Sequence, residues 1–341
     1  MIIVGAGIIG LACAWRLAQK GIEVTVFDSG PAAGEASWAG AGMLAPGGEC
    51  EADSPMSRMS VASLASYPEF VNELRDSSQL GIDFRICGGI ELAFTPEEVE
   101  ALADRANRQA SAGIPSESIA WPASTAARFY PRDSVVDPRE MTAALQVACQ
   151  RLGVRVHERE AVTAIDPQGK SVQTTERQYS CEGVIVAAGA WSSLLLPAAR
   201  RTNPVKGHLI GFDAKPGMLD TILRHRQTYL VQRSNGRLIA GTSVEDTGFD
   251  KAIDPHVVED IRSRAAGLLP DLGALPVAEA WTGLRPAIEG EVPAIGRIIC
   301  ANGADRTNVW AAFGHYRNGI LLAPETARQI AESVTAAKLQ L

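Results

Sequence analysis

The chain lacks an excess of positive charge. Its 341 residues include 32 Lys and Arg against 39 Asp and Glu, which gives a net charge of −7 and an isoelectric point of about 5.4. Binding to nucleic acid or to an anionic membrane needs clustered Lys and Arg, so this balance argues against both. It does not argue against a small anion held by one or two buried arginines.

The chain also lacks paired cysteines. Its six cysteines are widely spaced and form no CxxC motif: Cys13, Cys50, Cys87, Cys149, Cys181 and Cys300. This spacing provides neither a zinc motif nor a disulfide framework. We therefore expect no metal site and a reducing compartment.

Long hydrophobic runs are scarce as well. The first residues, MIIVGAGIIGLACAW, are apolar, but they have no basic start and are interrupted by glycines, unlike a signal peptide. No other apolar run approaches the roughly 20 residues that span a membrane. With 46% hydrophobic and 21% charged residues, the composition is typical of a soluble globular protein, and we expect it to be cytoplasmic.

A glycine motif stands at the start of the chain. GAGIIG places Gly5, Gly7 and Gly10 between a predicted strand at residues 1–4 and a predicted helix at residues 8–20. In a dinucleotide-binding turn the first glycine allows the tight turn and the second lets the backbone approach a pyrophosphate. The third lets the helix pack closely on the sheet, and the pyrophosphate lies at the helix N-terminus.

An acidic residue completes the motif. Asp28 follows Gly10 by 18 residues, at the end of a second predicted strand at residues 22–28. A carboxylate at this place accepts hydrogen bonds from a ribose. This order of strand, helix, second strand and acid predicts a dinucleotide-binding site, but it does not distinguish NAD from FAD.

The rest of the chain alternates between two patterns. Segments of the nucleotide-binding type recur near residues 183–193 and at the end of the chain, where the last helix is predicted at residues 319–337, and antiparallel strands are predicted over residues 205–242. Further helices are predicted at residues 56–80, 96–112, 138–152 and 255–268. This order indicates an α/β protein with two interleaved domains, each built from discontinuous pieces.

Five motifs occur in an order that resembles a known family. GAGIIG, EASWAGAGML, VIVAAGAWS, WTGLRPAIEGEVPAIG and GHYRNGILLAP follow one another along nearly the whole chain. They resemble the D-amino-acid oxidase superfamily and, within it, the FAD-dependent glycine oxidases of thiamine biosynthesis. The resemblance implies an FAD-binding Rossmann-like domain, residues 1–80, 135–205 and 286–341. It also implies an α+β substrate-binding domain on an antiparallel sheet, residues 81–134 and 206–285.

The function that the resemblance implies is oxidative deamination of glycine or another small amine, such as sarcosine or a small D-amino acid. Hydride passes to flavin N5, dioxygen is reduced to hydrogen peroxide, and the imine is hydrolysed to an oxo acid or used in thiamine biosynthesis. The implied partners are the amine and dioxygen, with no nucleic acid and no membrane. The family's oligomers imply a dimer or a tetramer.

Three residues are implied in substrate binding. Arg285 matches the arginine that pairs with the substrate carboxylate, Tyr229 a tyrosine that contacts the same carboxylate, and Arg317 an arginine near substrate and flavin. Each also has an ordinary interpretation: an interdomain ion pair, a core tyrosine, and an arginine that pairs with a neighbouring carboxylate. Because hydride leaves once the amine is neutral, we expect no general base, and His208 and His315 are interpreted as structural.

The resemblance also implies a set of cofactor-binding residues. Met43 would line the flavin ring and the backbone of Val162 would meet the adenine half. The full set is Gly5, Ala6, Gly7, Ile8, Ile9, Gly10, Asp28, Ser29, Ser37, Trp38, Ala39, Gly42, Met43, Leu44, Val162, Ala188, Gly189, Trp191, Arg285, His315, Tyr316, Arg317, Asn318, Gly319 and Ile320.

Some positions depart from the family's pattern. Trp38 stands where small residues are common, and it either narrows the FAD channel or packs. His208 replaces a frequent glutamine, Gln227 an occasional histidine, and Val244 a larger side chain, which leaves the preferred amine open. Outside these motifs, Arg233 and Arg237 flank a predicted SNG hairpin turn, and we expect both to face solvent.

Three other functions remain open from the sequence. The first is an FAD-dependent D-amino-acid dehydrogenase that passes electrons to a quinone, which would need a membrane-contact surface. The second is a tRNA-modifying flavin oxidase domain, which the acidic balance disfavours. The third is an FAD-binding scaffold without activity, which leaves the arginine and tyrosine set unexplained.

Overall fold

The computed structural model describes residues 1–122, 124–196, 200–290, 292–299 and 306–338. Its strands are β1 (Ile2–Val4), β2 (Thr25–Phe27), β3 (Met43–Leu44), β4 (Phe84–Ile86), β5 (Gly89–Ala93), β6 (Glu117–Ile119), β7 (Ala126–Tyr130), β8 (Ser134–Val136), β9 (Arg155–His157), β10 (Val162–Ile165), β11 (Ser171–Thr174), β12 (Gln178–Ser180), β13 (Val184–Val186), β14 (Thr202–Asp213), β15 (Ile222–His225), β16 (Thr228–Gln232), β17 (Arg237–Gly241), β18 (Glu279–Ile288), β19 (Ala294–Ile299) and β20 (Arg306–Phe313).

Its helices alternate with these strands. They are α1 (Ile8–Gln19), α2 (Ala36–Ala39), α3 (Pro46–Glu49), α4 (Pro55–Ser78), α5 (Pro96–Ser111), α6 (Pro138–Arg151), α7 (Ser192–Leu195), α8 (Pro255–Leu268) and α9 (Gly319–Lys338). Several begin at a side-chain cap: Ser54, Thr95, Asp137 and Asp254 each accept hydrogen bonds from backbone N–H groups of the first turn.

A six-stranded sheet holds the N-terminal motif at its centre. Its order is β19-β20-β13-β1-β2-β9, with parallel pairing except at the edge strand β19. The inner strands are apolar throughout because helices cover one face and apolar side chains cover the other. On the helical side, α1, α4, α6 and α9 pack around Trp15, Phe70, Leu145 and Leu322, all buried.

A second, eight-stranded sheet supplies the other side of the molecule. Its order is β18-β14-β17-β16-β15-β5-β7-β6, and neighbouring strands are antiparallel except for β15 and β5. Apolar residues on one face, including Phe212, Leu230 and Leu238, pack against Ile261 of α8. Two smaller three-stranded sheets, β10-β11-β12 and β3-β8-β4, complete the strands.

This architecture agrees with the predicted α/β class and its separate antiparallel sheet, and it refines the predicted elements. The second strand is shorter than predicted, Thr25–Phe27 in place of residues 22–28, and strands β6, β7, β8 and β20 had not been predicted. Strands β14 and β18 extend a few residues beyond the predicted domain boundaries at 205/206 and 285/286. The domain ranges themselves stay a proposal.

Within the residues described, no helix combines the length and the apolar character needed to cross a membrane.

Candidate active site

A cavity of about 570 Å³ lies between the two main sheets. Most of the predicted site residues line it: Gly5, Gly7, Ile8, Ile9, Asp28, Ser29, Ser37, Ala39, Gly42, Met43, Val162, Ala188, Gly189, Trp191, Tyr229, Arg285, His315, Tyr316, Arg317, Asn318, Gly319 and Ile320. Segments from the start, middle and end of the chain therefore meet around one space. Four predicted residues, Ala6, Gly10, Trp38 and Leu44, are not among its lining residues.

The glycine turn between β1 and α1 owes its shape to two close approaches. Gly5 has a φ of +105°, and a Cβ there would overlap the carbonyl of Ala187 at the end of β13. A Cβ at Gly10 would overlap the carbonyl of Gly5. Gly10 therefore brings α1 against the strand, as the sequence predicts, from a position outside the cavity lining.

The start of α1 and the end of β2 are joined by polar contacts at the cavity. The Ile8 N–H donates to Ser37 Oγ at 2.9 Å. Asp28 accepts from the Ala6 N–H at 2.7 Å through one carboxylate oxygen and from the Gly30 N–H at 2.9 Å through the other. Burial raises the pKa of Asp28, and these two bonds oppose the rise. Asp28 thus holds the glycine turn; its contact with a ribose stays a prediction.

Arg285 lies at the other end of the cavity without an acidic partner. It donates to Thr242 Oγ1 at 2.6 Å and to the Ser243 carbonyl at 3.2 Å, and its guanidinium covers Gly207, where a Cβ would overlap it. Among the described residues, no carboxylate lies within ion-pair distance of Arg285, so its charge is open to an anionic ligand.

Tyr229 stands between the charged groups of this end. Burial raises the pKa of its hydroxyl, while the positive charges of Arg285 and Arg317 oppose the rise and Glu49 adds to it. All three charged side chains therefore act on one hydroxyl group. Tyr229 remains a neutral hydrogen-bond donor at neutral pH.

Arg317 does have an acidic partner. Its Nε lies 2.9 Å from Glu49 Oε2 and its Nη2 lies 2.9 Å from Glu49 Oε1. Burial would lower the pKa of Arg317, but the Glu49 carboxylate outweighs this, so that the pKa is raised. The pairing interpretation that the sequence left open for Arg317 is therefore realised, and both residues line the cavity.

Glu49 is a site residue that sequence reasoning missed. It is the last residue of the short helix α3, whose sequence PGGE predicts a loop because of its proline and glycines. No local pattern links an acid there to an arginine 268 residues further along the chain. Only the fold brings the two together.

Both histidines considered as bases are structural. His315 is buried, its Nε2 lies 3.0 Å from Thr326 Oγ1, and burial lowers its pKa to about 3. His208 is fully buried, with Nδ1 2.8 Å from Glu245 Oε1, and its Nε2 accepts from the Asp254 N–H at 2.9 Å. This matches the interpretation made from the sequence.

All four departures from the family's pattern, at Trp38, His208, Gln227 and Val244, lie outside the cavity lining. Gln227 and Val244 border a different cavity, so the smaller side chain at Val244 does not change the size of this one. Trp38 packs instead of narrowing a channel, because the Arg139 guanidinium lies 3.7 Å from the centre of its ring.

Arg233 corrects another expectation. It is buried and donates to the carbonyls of Val136, at 2.8 Å, and of Ala41. The sequence suggested a solvent-facing residue beside a hairpin turn, but the Arg233 side chain points inward and reaches the loop before β3. Arg233 thereby holds the backbone next to Gly42 and Met43, which line the cavity.

The cavity suits an elongated dinucleotide. The N-terminal turns of two helices, α1 and α9, border it, and helix N-termini favour the negative charge of a pyrophosphate. Gly189 has a φ of +53° and open space where a Cβ would be, so that a ligand is free to approach the backbone there. Across the residues described, no cluster of His, Cys, Asp and Glu is suited to a metal ion.

Comparison with known proteins identifies the class. Residues 1–333 match the FAD dependent oxidoreductase (DAO) family, and the chain belongs to that family.

Individual relatives narrow the comparison. The chain is 31% identical over 350 residues to the glycine oxidase of Geobacillus kaustophilus, covering 97% of this chain and 92% of the relative. A crystal structure of glycine oxidase from the same organism superposes with a TM-score of 0.93 at 30% identity, covering 98% and 94% of the two chains. The chain is also 34% identical over 363 residues to the bifunctional protein ThiO/ThiG of Synechocystis sp., covering 99% of this chain. It spans about half of that relative, 52%.

These matches confirm the predicted family, the fold class and FAD as the cofactor. They also confirm the predicted enzyme class, an FAD-dependent amine oxidase. The assignments of individual site residues rest on the geometry described above.

Proposed function

We propose that this chain catalyses the FAD-dependent oxidative deamination of glycine or another small amine, such as sarcosine or a small D-amino acid. One observation supports this above the others. Arg285, which has no acidic partner among the described residues, lies beside the neutral Tyr229 hydroxyl in the cavity that also contains the glycine turn. A small amino carboxylate complements that arrangement.

Arg285 would bind the substrate carboxylate. Its planar guanidinium forms two parallel charge-assisted hydrogen bonds with a carboxylate, which fixes both position and orientation. Thr242 and Ser243 already hold the guanidinium from behind, so little side-chain freedom is lost on binding. The Tyr229 hydroxyl would donate a further hydrogen bond to the same carboxylate.

FAD, when bound, supplies an acceptor for the two electrons that leave the substrate. The residues that would hold it follow the cavity. The glycine turn and the start of α1 would take the pyrophosphate, Asp28 the ribose, and Val162 the adenine half. Met43, Gly189 and the start of α9 would border the flavin.

The described lining residues at the substrate end provide no free proton acceptor. Tyr229 has a raised pKa, and Arg285 and Arg317 are cations. Glu49 is engaged by Arg317: its Oε1 accepts from Nε and Nη2, and its Oε2 lies 2.9 Å from Nε in the ion pair. Burial lowers the pKa of His315 to about 3, so it is a poor base, and its Nε2 lies 3.0 Å from Thr326 Oγ1. The residues therefore bind and orient an amine that is already neutral, and we assign no general base.

Dioxygen would be the electron acceptor, with hydrogen peroxide and an imine as products. The imine would be hydrolysed to an oxo acid or used in thiamine biosynthesis, as the names of the ThiO/ThiG relatives suggest. We further propose a cytoplasmic enzyme that assembles as a dimer or a tetramer.

The test is to add glycine, sarcosine or D-alanine to the FAD-bound protein without oxygen and to follow the visible flavin absorbance. We expect bleaching with at least one of them, and hydrogen peroxide once oxygen is admitted. If no small amine bleaches the flavin, the proposal is rejected. Turnover with a quinone but without peroxide would favour the dehydrogenase alternative.

A further inference from the structure

The positive and negative charges at the substrate end of the cavity do not balance. Among the described residues that line this end, Arg285 and Arg317 carry two positive charges and Glu49 carries one negative charge, which leaves one positive charge in excess. The other acids that line the cavity belong to the nucleotide end, where Asp28 binds backbone N–H groups and Glu35 pairs with Lys251 at 2.9 Å. One negative charge on a ligand therefore balances the substrate end.

The position of Glu49 is fixed by a buried polar network under α3. Gln109 Nε2 donates to the Gly47 carbonyl at 3.0 Å, and the Gly47 N–H donates to Asp133 at 3.3 Å. Asp133 is buried and pairs with Arg224 at 2.7 Å, and the Arg224 guanidinium lies against Gly48, where a Cβ would approach it to 2.8 Å. These contacts fix the backbone of α3 next to Glu49, so the Glu49 carboxylate is positioned without a ligand.

We propose that Glu49 is a specificity-determining residue that limits this site to substrates with a single acidic group. By occupying Arg317, Glu49 leaves Arg285 as the cation available to a substrate carboxylate. A second carboxylate on the amine would meet the Glu49 carboxylate and an arginine that is already paired. Like charges brought together in a partly buried site are strongly unfavourable. The proposal rests on the proposed function.

Two unreactive substrate analogues, one with a single carboxylate and one with two, isolate the effect of the second carboxylate on binding. Methoxyacetate has the shape of sarcosine, and diglycolate is the same molecule extended by one carboxylate; neither contains an amine to oxidise. Binding of each to the FAD-bound protein is measured from the change it causes in the visible flavin spectrum. The quantity of interest is the ratio of the two dissociation constants, diglycolate over methoxyacetate.

We expect the unmodified protein to bind diglycolate at least about tenfold more weakly than methoxyacetate. Glu49→Gln frees Arg317 while keeping the side chain's size, so that a second carboxylate gains a cation. We expect the ratio to fall by roughly 10- to 100-fold, the effect of one or more charge-assisted hydrogen bonds. In the double variant Glu49→Gln with Arg317→Gln the freed cation is gone, and the ratio should return toward that of the unmodified protein.

Glu35→Gln is the matched control, because Glu35 also lines the cavity and pairs with a cation, but at the nucleotide end. It should leave the ratio unchanged. The proposal is overturned if Glu49→Gln leaves the ratio unchanged, or if the double variant keeps the gain. Equal or tighter binding of diglycolate to the unmodified protein overturns it without any variant, which covers the case in which Glu49→Gln does not fold. If methoxyacetate itself does not bind, the carboxylate site of the proposed function has failed instead.

Discussion

At the scale of single residues, Arg285 and Arg317 show how the same side chain has different uses within one cavity. Arg317 is neutralised by Glu49, whereas hydroxyl and carbonyl oxygens hold Arg285, and no carboxylate in the described part of the chain pairs with it. A partly buried cation without an acid is less favourable than one that a ligand neutralises. Arg285 is therefore the residue on which substrate binding should depend most.

We predict that Arg285→Ala raises the KM for glycine about 100-fold or more, because two charge-assisted hydrogen bonds are lost. Arg285→Lys keeps the positive charge but loses the planar guanidinium, so its KM for glycine should lie between those of the unmodified protein and of Arg285→Ala. Steady-state peroxide production measures both. Arg155→Ala, which removes an exposed arginine paired with Glu23, is the control and should leave KM as it is. An unchanged KM for Arg285→Ala would remove Arg285 from the site.

His315 gives a prediction about stability and pH. Burial lowers its pKa to about 3 from 6.5, so that the folded protein keeps it neutral where the unfolded chain takes up a proton. Its contribution to the free energy of unfolding is therefore lost as the pH falls from 6.5 toward 3, by about 1.4 kcal/mol per pH unit. Urea unfolding of the protein and of His315→Gln, over that pH range, should show a shallower pH dependence in the variant. If the free energy of unfolding of the two proteins depended equally on pH, the lowered pKa of His315 would be contradicted.

At the scale of elements, the turn from β1 into α1 depends on close backbone contact. A Cβ at Gly10 would overlap the Gly5 carbonyl, and neither strand nor helix is free to move, since both are packed in the core. We predict that Gly10→Ala lowers the free energy of unfolding by about 1–3 kcal/mol or more and reduces the FAD content. Thermal unfolding and the flavin absorbance of purified protein measure the two effects.

Gly267 provides the matched control for that substitution. It lies inside α8, and no atom stands within 4 Å of the place where its Cβ would be. Because alanine favours a helix over glycine, Gly267→Ala should stabilise the protein by about 0.5–1 kcal/mol and leave the FAD content unchanged. If both variants behaved alike, close packing at Gly10 would not be the reason for its glycine.

At the scale of the whole molecule, the cavity joins parts that are distant in sequence. Its walls come from the first turn of the chain, the segment after β13, both long sheets and the start of α9. A ligand that touches all of them stabilises the folded state as a whole, because it binds to the folded protein and not to the unfolded chain.

We predict that removing FAD lowers the unfolding temperature and that adding it back raises this temperature with FAD concentration. At a free concentration 100 times the dissociation constant, the gain is about 2.7 kcal/mol. Differential scanning calorimetry of the protein without FAD, titrated with the cofactor, measures it. An unfolding temperature that did not respond to FAD would mean that the cavity is not the cofactor site.

The sequence predicted the elements that carry strong local patterns. Helices α1, α4, α5, α6, α8 and α9 lie within two residues of their predicted bounds, because their apolar periodicity, N-terminal prolines or capping residues act locally. Strands β6, β7 and β8 were not predicted, since a short strand depends on its pairing and packing with other segments more than on its own pattern. The prediction for Arg233 was wrong for a related reason. A polar residue beside a turn is usually exposed, but the carbonyls that Arg233 binds, on Val136 and Ala41, lie far from it in the sequence.

By itself, the sequence determined the glycine turn, the acid that follows it and the presence of Arg285 and Tyr229, because those features depend on short-range stereochemistry and residue type. Only the tertiary structure decided which of the two arginines, Arg285 or Arg317, pairs with an acid. Glu49 and Arg317 are separated by most of the chain, and they meet because α3 and the turn before α9 border the same cavity. A local pattern carries no information about such a pair, since the energy of an ion pair depends on distance in space and on burial.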